Sequence, residues 1–544
     1  MTVRRFKRAS FWLSDEPPTF ADELLVDNDG LIVAIGSVNA AAWLADHNLD
    51  SDLDVDLGGA FVYPAFRDGH CHPLFAGREL LSVQIHECSN VEQIQNRLRE
   101  HIQANSDALW VDAVSFRHEV LAGVERPREL LDAVSTDHAI VLHADDHHNL
   151  WVNTRALELA GLLGTLPTLL EGHVAADDAG VATGLLHEWP AMQLVMDLMP
   201  QPVPESDSKA WRLAQQQLIS AGVVTVQDAW IDPGMATSYL RLAQTGELSI
   251  EVKLAFRLDA SGWRQDWDGF MLERADIAAA KHPLLEANSV KVFIDGSLAN
   301  RTAAIHATYD DGSSGSLNWE TDELAEALQR ATGADLQLHF HAIGDRGVSA
   351  ALDAIERLVA SGGKLKYSPV LAHAEMMSEN DFERAAALGV TAQMQPLWAR
   401  RDSALEGSIA GLSDGAEAHF YALQSLLRHR VSLAFGSDWP VSSPRPLEGI
   451  AVAATRMNAA RPELGALTPS ESISVSQAML AYSKGTAQQM ALRSNASAQL
   501  GTLSVGQPAD FIALPINVFE AAPLSLGDLK VESVYLKGNL LSLT

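Results

Sequence analysis

The fold class this sequence predicts is α/β, a (β/α)8 barrel, and three observations predict it. The middle of the chain alternates short apolar, β-branched runs with Ala/Leu/Glu-rich stretches of helical spacing. Histidine, lysine and aspartate stand at the ends of several of those runs, where a barrel gathers its chemistry. Both ends of the chain read as β elements broken by Gly and Pro, unlike the middle.

Eight runs carry the strand pattern. They are "AFVYPAFRDGHCH", "AIVLHAD" (139–145), "GVVTVQDA" (222–229), "SVKVFIDG" (289–296), "LQLHFHAIGD" (336–345), "PVLAHAE" (369–375), "GVTAQMQP" (389–396) and "VSLAFGSDWP" (431–440). Helical stretches lie between them, such as "TDELAEALQRATG" and "GVSAALDAIERLVASGG". "SENDFERAAALG" places Ser378 at a helix start, three residues before Asp381, and Gly389 at its end. Strands alternating with helices imply a parallel sheet, and eight such units imply closure. The stretch from about 75 to 135 is long for one βα connection, so an insertion, a lid or side subdomain, is expected there. Near the N-terminus, "ELLVDNDGLIVAIGS" reads as a hairpin turning at Asn28-Asp29-Gly30.

Composition bounds the function. The chain has 544 residues, 47% of them apolar and 20% charged, enough for a large core. A net charge of −31 argues against nucleic-acid binding and against an anionic membrane surface. Two cysteines, Cys71 and Cys88, make no disulfide framework, which fits a reducing compartment. Neither a signal-peptide core nor an apolar run of membrane-spanning length is read. A cytoplasmic protein acting on a small molecule is expected.

The polar residues at the strand ends narrow this further. His70 and His72 stand at i and i+2 on the first run and share a face. The fourth run holds Lys291, the fifth His341, the sixth His373 and the eighth Asp438. Any single histidine among 19 is cheap; the ordered set is not. Four imidazoles, a carboxylate and a lysine on one barrel axis suit zinc or a related divalent ion, with iron, manganese and nickel as alternatives. Lys291 lies between "SV" and "VFI", in a strand apolar on both faces, so it needs a partner or a modification. His339 shares a face with His341 one layer deeper and is expected in the core or behind the ligands.

The stretches "FRDGHCHP", "VKVFIDGSLANRTA", "HFHAIGDRGVSAALDA", "LAHAEMM", "VTAQMQPLW" and "AFGSDWPVSSPRPLEGI" resemble the amidohydrolase superfamily, in its amidohydrolase 3 branch, which includes N-substituted formamide deformylase. The resemblance runs from about residue 20 to the C-terminus. It implies a TIM barrel carrying a small β-sandwich built from both termini: residues 1–62 and 491–544 in the sandwich, 63–490 in the barrel. It implies a binuclear metal site, with His70, His72 and Asp438 on one ion and His341 and His373 on the other. Lys291, carboxylated by CO2, would bridge them. Many members are homodimers. Two departures stand out: Arg67 where an aliphatic residue is usual, and His147-His148-Asn149 before "LWVN". The second falls at the expected end of the second strand, facing substrate.

These residues set the expected chemistry: hydrolysis of a non-peptide C–N bond in an amide, formamide or cyclic amide by a metal-activated hydroxide, with Asp438 as general base and then acid. His148 and Arg301 are the expected substrate-binding residues, and Asp345 is expected to orient His341 or to cap the next helix. Trp110, Trp151, Trp189, Trp230, Trp398 and Trp439 fall in or near expected loops, which suits an apolar substrate group. Esters, lactones and phosphoesters are alternative substrates for the same site, and a non-catalytic metal-bearing regulator is the alternative outside catalysis.

Overall fold

Eight parallel strands follow one another in chain order: β1 (Phe66–Cys71), β2 (Val223–Ile231), β3 (Glu251–Leu258), β4 (Leu285–Phe293), β5 (Gln337–Ala342), β6 (Val370–His373), β7 (Thr391–Met394) and β8 (Ser432–Phe435). Each pairs with the next, from β1 round to β8. The first and last meet just beyond their ends, where Asp438 N–H donates to His70 O and His72 N–H to Trp439 O, each at 2.7 Å. The result is a nearly closed parallel barrel. Every residue of β1 and β5 is buried, as expected of parallel strands covered on both faces. Helices intervene, among them Trp263–Ala280, Thr321–Gly333, Asp345–Ala360 and Glu379–Leu388. Asp345–Ala360 buries Val348, Ala351, Leu352, Ile355 and Leu358, the one-sided spacing of a helix laid on a sheet. Glu379–Leu388 has Ser378 in the N-cap position and ends in left-handed Gly389 at φ 64°, as its sequence predicts.

The structure, a computed structural model, describes residues 3–49, 53–145, 147–169, 172–200, 202–412, 420–495 and 499–543. It divides into two compact units: Met1–His72 with Gln215–Thr544, and Pro73–Ala214. The second contains a six-stranded sheet of its own, in the order His173–Ala176, Ala182–His187, Asn149–Val152, Ala139–Ala144, Trp110–Phe116, Val83–Gln84. This corrects one strand of the sequence reading. The run 139–145 is not a barrel strand; it belongs to this second sheet, where it pairs parallel with Trp110–Phe116. The run 222–229 is therefore the second barrel strand, and the third is Glu251–Leu258, which the sequence reading passed over. Trp151, expected near a loop, lies fully buried in the core of this unit.

Both chain ends enter one hydrogen-bonded sheet, ordered Asn539–Leu541, Ser533–Leu536, Phe511–Leu514, Phe61–Pro64, Arg4–Trp12, Phe20–Val26, Ile32–Ile35, with Leu53–Asp56 also paired to Arg4–Trp12. The hairpin at Asn28–Gly30 forms as its sequence predicts, with Leu24 opposite Ile35. Phe511 is central to its core, edge-on to Phe6 at 5.1 Å and stacked on Tyr535 at 4.5 Å. Among the described residues no helix is long and apolar enough to cross a membrane.

Arg67, the residue that departs from the aliphatic pattern, joins this sheet to the barrel. From β1 its guanidinium donates to Asp510 Oδ2 at 2.7 Å, with both side chains buried. Asp510 Oδ1 in turn accepts the Lys537 N–H at 2.8 Å. Burial pushes the Asp510 carboxyl up, and Arg67 pulls it back. Arg67→Leu leaves that carboxylate buried without its counter-charge, so stability is expected to fall by about 3–5 kcal/mol. Arg67→Leu with Asp510→Asn removes both charges yet keeps an acceptor for Lys537, and most of the loss is expected to return. Urea unfolding of the two variants checks this.

Candidate metal centre

The site is built on the seam between β1 and β8. Asp68 organises it: Oδ1 accepts from His70 N–H at 3.1 Å and Ser437 N–H at 3.0 Å, and Oδ2 accepts from the Ser437 hydroxyl. Burial pushes this carboxyl up to about 6, against the pull of those donors. Together with the bonds that close the barrel, they fix three side chains from opposite ends of the barrel sequence. The ligand atoms of His70, His72 and Asp438 all lie within 4.8 Å of one another. Asp438 Oδ1 stands 2.9 Å from His72 Nε2 and 3.3 Å from His70 Nε2. Although buried, it accepts no hydrogen bond. Close approach without bond alignment is what donors aimed at a shared cation give, and two imidazoles with a carboxylate are a fitting set for zinc.

The other expected donors join the same cluster. Lys291 Nζ on β4 is 3.0 Å from His70 Nε2, and the residue is 1% exposed. Burial pushes its ammonium down to about 7, opposed by the charges of Asp438 and Asp228. The His373 ring lies 4.7 Å from His70 and 4.6 Å from His341. Burial, then neighbouring cationic groups, hold His70 and His373 well below the usual imidazole range, so both are neutral donors. At His72 burial is outweighed by Asp228 and Asp438, which hold it up at about 9.

Each imidazole is held by a different group. His70 Nδ1 faces His339 Nε2 at 2.9 Å, so His339 stands directly behind a donor. His72 Nδ1 is 3.7 Å from Asp228 Oδ1, and Asp228 Oδ2 accepts the Tyr239 hydroxyl at 2.7 Å. His341 donates from Nε2 to Gly296 O at 3.3 Å. His373 Nδ1 meets Gln395 Oε1 at 2.9 Å. Such partners orient ligating imidazoles. Asp228 and Gln395 escaped the sequence reading; the only signal for Asp228 is a carboxylate at the end of "VVTVQD".

The two residues expected to bind substrate have partners of their own. His148 follows the strand Ala139–Ala144 of the Pro73–Ala214 unit rather than a barrel strand, and its Nδ1 is 2.8 Å from buried Glu188. Arg301, at φ 58°, pairs with Asp310 at 2.8 Å and Asp311 at 3.3 Å within its own loop. Asp345 accepts from the His306 and Arg346 N–H groups. Asp295, which the sequence reading did not name, accepts from Ile343 and Gly344 N–H beyond β5.

Residues 55–541 match the amidohydrolase family. The putative amidohydrolase YtcJ of Bacillus subtilis (strain 168) is 25% identical over 95% of this chain and 95% of its own length. The N-substituted formamide deformylase of Arthrobacter pascens is 24% identical over 89% of each chain. An uncharacterized metal-dependent hydrolase from Pyrococcus horikoshii OT3 shares the fold, at a TM-score of 0.75 and 21% identity over 96% of this chain and 99% of that one.

Asp68 serves three donors, so its replacements separate. Asp68→Ala orphans three buried donors and is expected to cost about 3 kcal/mol or more. Asp68→Asn keeps Oδ1 for both backbone N–H groups and is expected to cost about 1 kcal/mol. Urea unfolding midpoints of the two variants check the order.

Proposed function

We propose that this chain, which belongs to the amidohydrolase family, is a metal-dependent hydrolase that cleaves a non-peptide C–N bond in a small amide, formamide or cyclic amide. The observation that carries this reading is the convergence of His70, His72 and Asp438, with Lys291, His341 and His373 in the same buried cluster. The formamide deformylase relative supports the bond class.

In this reading His70, His72 and Asp438 hold one divalent ion, and His341 and His373 a second. The buried amine of Lys291 is a suitable acceptor for CO2, and as a carbamate it would supply anionic oxygen donors to the site. Zinc bound here supplies Lewis acidity and brings the pKa of water towards neutrality. Asp438, through the carboxylate oxygen that an ion on Oδ1 leaves free, takes a proton from the attacking water and delivers it to the departing nitrogen. The products are a carboxylic acid and an amine. Trp230, Phe293 and Trp398, half-buried beside the imidazoles, keep bulk water from the reacting carbonyl.

A panel of N-substituted formamides, N-acyl amino acids, lactones and phosphotriesters, offered to zinc-loaded protein, tests the reading. Turnover is expected on the C–N substrates; inactivity on the whole panel, with zinc confirmed by elemental analysis, rejects it. Asp438→Asn is expected to keep metal but lower kcat by about 10²-fold or more. His70→Ala is expected to lower the metal content itself.

A further inference from the structure

Beyond β4 stands a buried carboxylate that the reaction above does not use. Asp295 lies two residues past the end of that strand and is 1% exposed. It accepts three backbone N–H groups, each at 2.9 Å: Ile343 on Oδ1, and Gly344 and Ala304 on Oδ2. Burial pushes this carboxyl up to about 7, against the pull of those donors and of Arg346.

The three donors come from two segments. Ala304 lies in the loop that leaves β4, and its O accepts from Arg346 and Gly347 N–H at 3.1 Å each. Ile343 and Gly344 turn the chain from β5 into the helix Asp345–Ala360. A Cβ at Gly347 would strike the Asp295 carboxylate, so the start of that helix is shaped around it. On the other side of Asp295, Ile294 N–H donates to His341 O at 2.9 Å. Gly296, next in the chain, offers the carbonyl to which His341 Nε2 donates at 3.3 Å. The carboxylate thus ties the Asp295–Gly296 peptide to the chain just past His341. A carbonyl oxygen only accepts, so Nε2 carries the ring proton, and in the neutral ring a cation is met by Nδ1.

We propose that Asp295 is a positioning residue: by tying its own turn to Ile343 and Gly344 it holds the Gly296 carbonyl on His341, and so sets that imidazole for its ion. This rests on the two-ion reading above. Asp295→Asn probes it, because an amide presents one acceptor oxygen where the carboxylate presents two. In either orientation of that amide, at least one of the three N–H groups faces nitrogen.

Two measurements test the proposal. In the metal-free parent, nitrogen NMR of labelled histidine, assigned with His341→Gln, is expected to place the His341 proton on Nε2; a proton on Nδ1 overturns the proposal. Chelator competition is expected to find two zinc equivalents in the parent. In Asp295→Asn one is expected to keep its affinity and the other to weaken by about 10–100-fold. Equal weakening of both, with folding intact, assigns Asp295 a merely structural role and overturns the proposal. Two unchanged equivalents also overturn it while leaving the hydrolase reading in place. A parent with a single equivalent overturns the proposal together with the second ion, and a parent with none sinks the hydrolase reading as well.

Discussion

The seam where β1 meets β8 is the constraint on which the rest of the site depends. Backbone bonds between His70 and Asp438, and between His72 and Trp439, set the spacing of the ligand side chains before any side chain chooses a rotamer. That approach requires glycine on both strands. A Cβ at Gly436 would lie 2.7 Å from His70 N, and one at Gly69 would lie 3.0 Å from Phe435 O. Asp68 then bonds across the gap, where a regular ladder is missing. The barrel's closure and the site's assembly are thus one set of interactions, so a substitution that loosens the seam loosens the donors with it.

Local preference is overridden at this site in a way that points to function. His70, His339 and His373 are almost fully buried, and desolvation followed by neighbouring cationic groups penalises protonation of each; at Lys291, equally buried, desolvation alone does so. Asp438 and Asp228 are the nearby charges that favour a cation. A protein optimised only for stability would fill this space with aliphatic residues. Neutral imidazoles with a carboxylate are what a divalent ion requires; burial keeps His70 and His373 unprotonated, while at His72 a cation would have to displace the proton that Asp228 and Asp438 favour.

The barrel was legible wherever periodicity and burial agree. "SVKVFIDG" and "LQLHFHA" are apolar on both faces and become β4 and β5. It misled where a second parallel sheet obeys the same local rules: "AIVLHA" satisfies the strand pattern, and only long-range pairing assigns it to the other sheet. Glu251–Leu258 was missed for the converse reason. Its alternation of Glu251, Lys253 and Arg257 with apolar residues reads as a half-exposed strand, yet it lies inside the barrel with its charges at half-buried positions. The donors themselves could be named because strand-end histidines have a chemical signature. Gln395, Asp68 and Asp228 could not, since an amide or carboxylate becomes a partner only once folding sets it beside an imidazole.

The same geometry weighs against a covalent route using a side-chain nucleophile in this cluster. Such a route needs a serine or cysteine held by a base and pointed at substrate. Cys71 sits between His70 and His72, but its Sγ is 3.9 Å from Gln227 O, and burial followed by Asp68 pushes its thiol well above the reactive range. The Ser437 hydroxyl is donated to Asp68, whose other oxygen is occupied by two backbone N–H groups. Neither side chain is aimed at the point where His70, His72 and Asp438 converge. That agrees with the proposed reading, in which water is the attacking group and Asp438, the carboxylate beside those imidazoles, takes its proton.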